Sequence, residues 1–88
     1  MEWYSFALLL TVPQGREAEW ERLLRRTPVP SGMRCAFNDC TRLLVTVEAE
    51  MEFLAIEQAE QWVQSLAARA LPPFSLGTNA QPENEIDL

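Results

Sequence analysis

The sequence feature that most constrains the fold of this chain is an alternation between two periods of apolar residues. Apolar side chains recur at every second position in residues 3–12, which predicts a β-strand. They recur at spacings of three and four residues in residues 15–26 and again in residues 50–71, which predicts two helices. Pro and Gly residues separate these segments, so each pattern marks one element with a turn beside it.

The segment between the two predicted helices has the pattern of an antiparallel hairpin, with strands over residues 33–37 and 41–48. A three-residue loop at residues 38–40 places the apolar side chains of both strands on one face, and Cys35 then lies opposite Leu43. A two-residue loop breaks that face, because it places a charged side chain opposite an apolar one. We therefore predict the three-residue loop.

The order of elements is β-α-β-β-α-β if residues 74–78 form a last strand, which their short pattern leaves open. This order is that of the ferredoxin-like sandwich, an antiparallel sheet that carries both helices on one face. A chain of 88 residues has the length of one domain. We predict an α+β domain over residues 1–78 and an acidic, flexible tail over residues 79–88.

The two cysteines, Cys35 and Cys40, have four residues between them. This spacing is not the C-x2-C pattern of zinc sites and thioredoxin-like redox sites, and the chain has no histidine to complete a zinc site. In the predicted hairpin one thiol lies in the core and the other in the turn, so their Cβ vectors do not converge. We predict two free structural thiols; a disulfide, or a metal or redox role, is the alternative.

The residue types that most often carry out catalysis are missing or isolated. With no histidine, the chain lacks the commonest general base and the usual activator of Ser and Cys nucleophiles. Its three glycines are isolated turn residues and form no phosphate-binding motif. We therefore expect no catalytic residue, no cofactor and no metal, and we favour a protein that is not an enzyme.

The net charge of −6 is unevenly distributed along the chain. All seven basic residues are Arg, and residues 43–64 contain five Glu without a single basic residue. An acidic surface repels phosphate, so we expect no direct contact with nucleic acid or with an anionic membrane. Such a surface favours a basic protein partner. Its candidate residues are Glu50, Glu52, Glu57 and Glu60.

The apolar start of the chain lacks the features of a signal peptide, because it carries Glu2 and has no basic residue before its apolar run. No apolar run reaches the ~18 residues that a membrane span needs. We therefore expect a cytoplasmic protein.

The three tryptophans fall at two kinds of position. Trp20 and Trp62 lie on the apolar stripes of the two helices, so we expect both in the core. Trp3 lies on the strand face that no helix covers in a ferredoxin-like sandwich, where apolar and polar side chains are mixed. A contiguous apolar patch on such a face is typical of an interface. The candidate interface residues are Trp3, Ala7, Leu9, Arg34, Leu44 and Thr46.

These patterns favour a small non-enzymatic regulatory or adaptor protein that acts by protein–protein binding, as a homodimer through the uncovered sheet face. The first alternative is a small-molecule-binding or cofactor-free enzyme domain of ferredoxin-like fold, which needs a pocket with placed polar groups. The second is an acidic inhibitor or immunity-type protein that occupies a basic site of a nucleic-acid-binding partner. The sequence does not decide whether the uncovered face binds a second copy or another protein.

Overall fold

The computed structural model describes residues 1–82 and shows an α+β fold, in which a four-stranded antiparallel sheet is combined with two helices. The sheet has the strand order β2-β3-β1-β4, and every neighbouring pair is antiparallel. The predicted α+β class with an antiparallel sheet is confirmed. The elements are β1 (Glu2–Thr11), α1 (Glu17–Arg26), β2 (Met33–Asp39), β3 (Arg42–Ala49), α2 (Glu52–Ala67) and β4 (Gly77–Pro82).

The core is one cluster to which one face of the sheet and both helices contribute. Phe6, Leu8 and Leu10 of β1 lie in it, and Tyr4 packs against it. Helix α1 supplies Trp20, which is fully buried, and α2 supplies Trp62. The predicted core positions of both tryptophans are confirmed.

Helix α1 begins at Glu17 rather than at residue 15, because Gly15 adopts a left-handed backbone conformation with a φ of 88°. The backbone N–H of Gly15 donates a 2.8 Å hydrogen bond to Oε1 of Glu17, which satisfies a donor just before the helix. At the other end, the hydroxyl of Thr27 donates to the carbonyl oxygen of Leu23 at 2.8 Å. The helix therefore has a defined end on each side.

Helix α2 ends at Ala67, earlier than the predicted limit at residue 71. The chain continues in tighter turns, in which the N–H of Arg69 donates to the carbonyl oxygen of Leu66 at 3.0 Å. A residue that precedes proline disfavours the helical conformation, and Pro72 follows closely. The helical pattern thus runs further than the helix itself.

The predicted register of the β2–β3 hairpin is wrong by two positions. Cys35 lies opposite Val45 rather than Leu43. A β-bulge between Ala36 and Asp39 takes up the extra residue of β2. Because the shift is an even number, each side chain keeps its predicted face of the sheet.

The turn of the hairpin explains the shift. It consists of Cys40 and Thr41, so it has two residues instead of the three predicted. Oδ1 of Asp39 accepts hydrogen bonds from the N–H and from the hydroxyl of Thr41, at 2.9 and 2.8 Å. The side chain of Asp39 thereby stabilises the tighter turn.

Strand β4 lies further along the chain than the predicted strand at 74–78, and it extends past residue 78 into the segment predicted to be a tail. It pairs with β1 from Thr11 opposite Gly77 to Phe6 opposite Pro82. Residues 83–88 of the predicted tail lie outside the described residues. The strand is therefore part of the domain rather than of the tail.

The amide of Gln64 holds the chain just before β4 against α2. Its Oε1 accepts from the N–H of Leu76 at 3.0 Å, and its Nε2 donates to the carbonyl oxygen of Leu76 at 2.6 Å. The guanidinium of Arg16 makes a second connection, because it donates to the carbonyl oxygen of Pro72 at 2.6 Å and lies 4.5 Å from the ring centroid of Phe74. These contacts fix the position of β4 relative to both helices.

Candidate functional site

One face of the sheet lies outside the core cluster, and we call it the open face. The register places Ala7 opposite Leu44 and Trp3 opposite Glu48. It also places Arg34 opposite Thr46. All six candidate interface residues therefore share this face. Its members are Trp3, Ser5, Ala7, Leu9 and Thr11 of β1, Arg34, Ala36 and Asp39 of β2, Arg42, Leu44, Thr46 and Glu48 of β3, and Asn79 and Gln81 of β4.

Two side-chain contacts cross the strands of the open face. The guanidinium carbon of Arg34 lies 4.8 Å from the ring centroid of Trp3, a cation–π distance. The hydroxyl oxygens of Ser5 and Thr46 are 2.9 Å apart and form a hydrogen bond. These contacts restrict the side chains at one end of the face, so part of this surface is already ordered in the single chain.

The exposed apolar groups of the open face are Trp3, with 45% of its surface exposed, and Leu44, with 41% exposed. Ala7 lies between its neighbours on β3 and β4 and is fully buried, although no helix covers it. Leu9 is half-buried. Trp3 and Leu44 therefore present the apolar area of this face, and Ala7 forms its floor.

The charges of the open face balance. Two Arg residues, Arg34 and Arg42, share it with two acidic residues, Asp39 and Glu48. The hydrogen bonds from Thr41 lower the pKa of Asp39, so its carboxylate is ionised at neutral pH. The net charge of the face is thus zero on a chain whose net charge is −6.

The four acidic candidates do not form a single surface. Glu50 precedes α2, and Glu52 is its first residue. Burial, a hydrogen bond to Glu2, and the charges of Glu2 and Glu52 together raise the pKa of Tyr4, so Glu52 lies close to the start of β1. Glu57 and Glu60 are three residues apart and share a flank of α2 further along the helix.

Glu57 and Glu60 line an open groove of ≈520 Å³ between α2 and β4, and we call it the acidic groove. The hydroxyl of Thr78 donates a 2.9 Å hydrogen bond to Oε2 of Glu60, which holds this carboxylate towards the strand. Helix α2 contains no basic residue that neutralises the groove. The groove is lined by Glu57, Glu60, Gln61, Gln64, Ser65 and Thr78.

A second, smaller depression lies at the hairpin end of the open face, with a volume of ≈270 Å³. Its charged lining groups are Asp39, which is bonded to Thr41, and Arg42. Ligand pockets usually exceed ~300 Å³ and converge several polar groups on one point. This depression is therefore a weak candidate for the small-molecule site considered above.

The two cysteines are free thiols in different environments. Burial raises the pKa of Cys35 to about 11. Burial also raises the pKa of Cys40, and the neighbouring charges of Glu21 and Asp39 add to this effect. A thiol with a raised pKa is a weak nucleophile at neutral pH, so neither environment activates the sulfur.

Among residues 1–82, no charged or polar residue belongs to the buried class. The same part of the chain contains no group of three or more His, Cys, Asp and Glu residues arranged to hold a metal ion. None of the helices described is both long enough and apolar enough to cross a membrane.

Sequence reasoning missed two features of these surfaces. Phe53, in the first turn of α2, is 60% exposed, although the helical pattern did not mark it as a surface group. The acidic groove depends on Thr78, which lies in a segment whose strand was not assigned from the sequence. The spacing of Phe53, Glu57 and Glu60 at i, i+4 and i+7 is the sequence signal that could have placed them on a shared flank of the helix.

No protein-family model matches this chain, and neither a curated protein nor a solved structure is significantly similar to it. Its function is therefore inferred from the open face and the acidic groove.

Proposed function

We propose that this protein is a small, non-enzymatic regulatory or adaptor protein of ferredoxin-like fold that acts by protein–protein binding, as a homodimer through the open face. The element order and the strand order β2-β3-β1-β4 support the fold. The observation that carries the function is the exposure of Trp3 and Leu44 on a sheet face with balanced charge. Large exposed apolar groups on one face are typical of an interface.

Charge supports a second copy as the partner. Two chains that each carry a charge of −6 repel one another unless they meet where this charge is absent. The open face has no net charge, whereas Glu50, Glu52, Glu57 and Glu60 lie outside it. Because the face carries both Arg and acidic side chains, a two-fold arrangement can pair Arg34 and Arg42 of each copy with Asp39 and Glu48 of the other.

The size of the face suits a small interface. Four strands ~4.8 Å apart, the longest of ten residues, give the sheet an extent of roughly 19 × 33 Å, or about 600 Å². A standard interface buries ~800 Å² per partner, and weaker complexes bury less. The open face therefore has room for a dimer at the small end of this range.

The chemistry of the described residues supports binding rather than catalysis. General acid–base catalysis uses a group whose pKa lies near the working pH, and histidine supplies it most often. The chain has no histidine, and its described thiols have raised pKa values. The proposal includes a cytoplasmic location, for which the two free cysteines are the support, since disulfides are rare there.

Substitution of Leu44 by Glu tests this proposal. We expect light scattering on the wild type to give twice the 10.1 kDa chain mass and on Leu44→Glu to give the mass of one chain, because the variant places like charges against each other. Circular dichroism should be unchanged, since Leu44 is exposed. Leu71→Glu is the matched control: Leu71 is 88% exposed away from the open face, so this variant should remain a dimer.

Two outcomes would reject a homodimer through the open face. One is a wild type that has the mass of a single chain at high micromolar concentration. The other is a Leu44→Glu variant that keeps the mass of the wild type while Leu71→Glu also keeps it, since the interface would then lie elsewhere.

A further inference from the structure

We propose that the acidic groove, together with the exposed ring of Phe53, is a docking surface for a basic amphipathic segment of another protein. This surface is separate from the open face, so the inference goes beyond the homodimer and does not rest on it. It assigns a second binding surface, formed by α2 and β4, and a partner of defined chemistry.

The helix places an apolar group and two carboxylates in one line. Phe53, Glu57 and Glu60 follow i, i+4 and i+7 spacing and therefore share a flank of α2. With a rise of 1.5 Å per residue, Glu57 lies about 6 Å and Glu60 about 10 Å along the helix from Phe53. The hydrogen bonds that join Gln64 to Leu76 and Glu60 to Thr78 show that the part of this flank around Glu60 faces β4 and the residue before it.

Phe53 is exposed because it lies on the side of α2 turned away from Ala55 and Trp62, which are buried in the core. Its ring is 60% exposed, although burial of a Phe side chain is worth roughly 1.5–3 kcal/mol. Neighbouring positions of the same helix, Leu54 and Ala55, pack against the core or lie within it. An exposed aromatic ring at the end of a groove is the kind of anchor on which binding energy is concentrated.

The internal hydrogen bonds of the groove determine which groups can meet a ligand. The amide of Gln64 is occupied by Leu76, and the hydroxyl of Ser65 donates to the carbonyl oxygen of Trp62. Thr78 occupies one oxygen of Glu60 and leaves Oε1 for a further donor. The side chain of Gln61 also lines the groove, but only the carboxylates of Glu57 and Glu60 carry charge, so these two groups select cations.

Charge complementarity defines the occupant. The groove carries two negative charges and no positive one, so it attracts Lys or Arg side chains and repels anionic lipid. A partner helix that matches it has an apolar residue followed by basic residues at i+4 and i+7. In this arrangement the apolar residue of the partner packs on the ring of Phe53, and its two basic residues pair with the carboxylates of Glu57 and Glu60.

The experiment uses a synthetic helical peptide with Leu and Arg at that spacing, and a matched peptide with Glu in place of Arg. Fluorescence anisotropy should show that the full chain binds the Arg peptide and not the Glu peptide. Phe53→Ser should weaken binding by about tenfold or more. The double variant Glu57→Gln/Glu60→Gln should weaken it by about tenfold at low salt and remove most of its salt dependence.

Matched variants separate the groove from general charge attraction. Glu17→Gln/Glu21→Gln removes the same charge from α1, and Leu71→Ser removes an exposed apolar group elsewhere. Both should bind the Arg peptide within about twofold of the wild type, because screening confines charge effects to ~8 Å in physiological salt. Equal losses in the control pair and the groove pair would overturn the proposal.

Three further outcomes decide between occupants. The Leu44→Glu variant should bind the peptide as the wild type does; loss of binding would place the peptide on the open face and contradict the groove. A change in the light-scattering mass of the chain alone on Glu57→Gln/Glu60→Gln would make a second copy the occupant and overturn the proposal. Phe53-dependent binding to anionic or neutral phospholipid vesicles, without peptide binding, would overturn it in favour of a membrane surface.

Discussion

The open face and the acidic groove are both exposed, but they differ in charge, and this difference separates the partners that each can accept. The open face pairs two Arg residues with two acidic residues around Trp3 and Leu44. The acidic groove has two carboxylates and no cation beside the ring of Phe53. A neutral surface can meet its own copy, whereas an acidic one repels its copy and attracts a basic partner.

The difference in charge between the two surfaces also indicates how an acidic chain can self-associate. With a net charge of −6, most approaches of two copies are unfavourable. Glutamates are concentrated on α2, which lies on the other side of the sheet from the open face. Two copies can therefore approach each other through their open faces without net repulsion. In the proposed dimer, the distribution of charge determines which face can meet its copy, and the exposed side chains of Trp3 and Leu44 supply the apolar area.

The largest effect is expected from a substitution in the hydrophobic core, because the core supports both surfaces. Trp20 is fully buried, and its Nε1–H donates a 2.8 Å hydrogen bond to the carbonyl oxygen of Cys40, which joins α1 to the hairpin turn. Trp20→Ala should lower the free energy of unfolding by about 3–5 kcal/mol, as measured in urea by circular dichroism. Trp3→Ala should cost much less; a loss of equal size would contradict the surface position of Trp3.

The two faces of the sheet could be predicted from the sequence, but the hairpin register could not. Period-2 alternation assigns each side chain to a face, and an error of two positions leaves that assignment intact. The register itself depends on a bulge after Ala36 and on two hydrogen bonds from Thr41 to the Asp39 side chain. An apolar pattern contains no information on such polar contacts.

Strand β4 and the acidic groove could not be predicted from the sequence for a related reason. The sequence of β4, Gly-Thr-Asn-Ala-Gln-Pro, has no apolar alternation, so its strand arises from pairing with β1 and from the Gln64–Leu76 hydrogen bonds. The groove requires the contact between Glu60 and Thr78, which are far apart in sequence. The candidate acidic residues were therefore recognised by composition, and their division into two locations was not.

An intermediate effect on stability is expected from ionisation of Cys35, whose side chain lies on the core side of β2. Because neighbouring residues of a strand point to opposite faces, a core position of Cys35 places Arg34 on the open face. Burial raises the pKa of Cys35 to about 11, from an ordinary value of 9.0. The unfolded chain therefore loses this proton at a lower pH than the folded chain, and stability should fall as the pH rises from about 9 to about 11. Urea titrations at a series of pH values measure the fall.

The Cys35→Ala variant should show a weaker fall over the same pH range, because the shifted thiol is gone. Cys40→Ala is the control: it is less buried than Cys35 and should change the pH profile less. Identical profiles for the wild type and Cys35→Ala would contradict the core position of Cys35. They would also undermine the assignment of its neighbours on β2 to the open face.

The smallest effect is expected from the cation–π contact on the open face. Arg34→Gln removes the guanidinium that lies 4.8 Å from the ring centroid of Trp3, a contact worth about 0.5–1 kcal/mol at an exposed site. We expect the dimer to weaken by a few-fold in sedimentation equilibrium, and peptide binding to the groove to be unchanged. An Arg34→Gln variant that weakens both equally would show that the two surfaces are not separate.

Acrylamide quenching of Trp3 fluorescence, measured against chain concentration, shows directly whether the open face becomes buried between two copies. Trp3 is 45% exposed in the single chain, whereas Trp20 and Trp62 lie in the core. Subtracting the signal of a Trp3→Phe variant isolates the exposed ring. We predict that Trp3 is accessible to acrylamide at low chain concentration and becomes shielded as the dimer forms. Accessibility that stays constant while light scattering shows a dimer would contradict the open face as the interface.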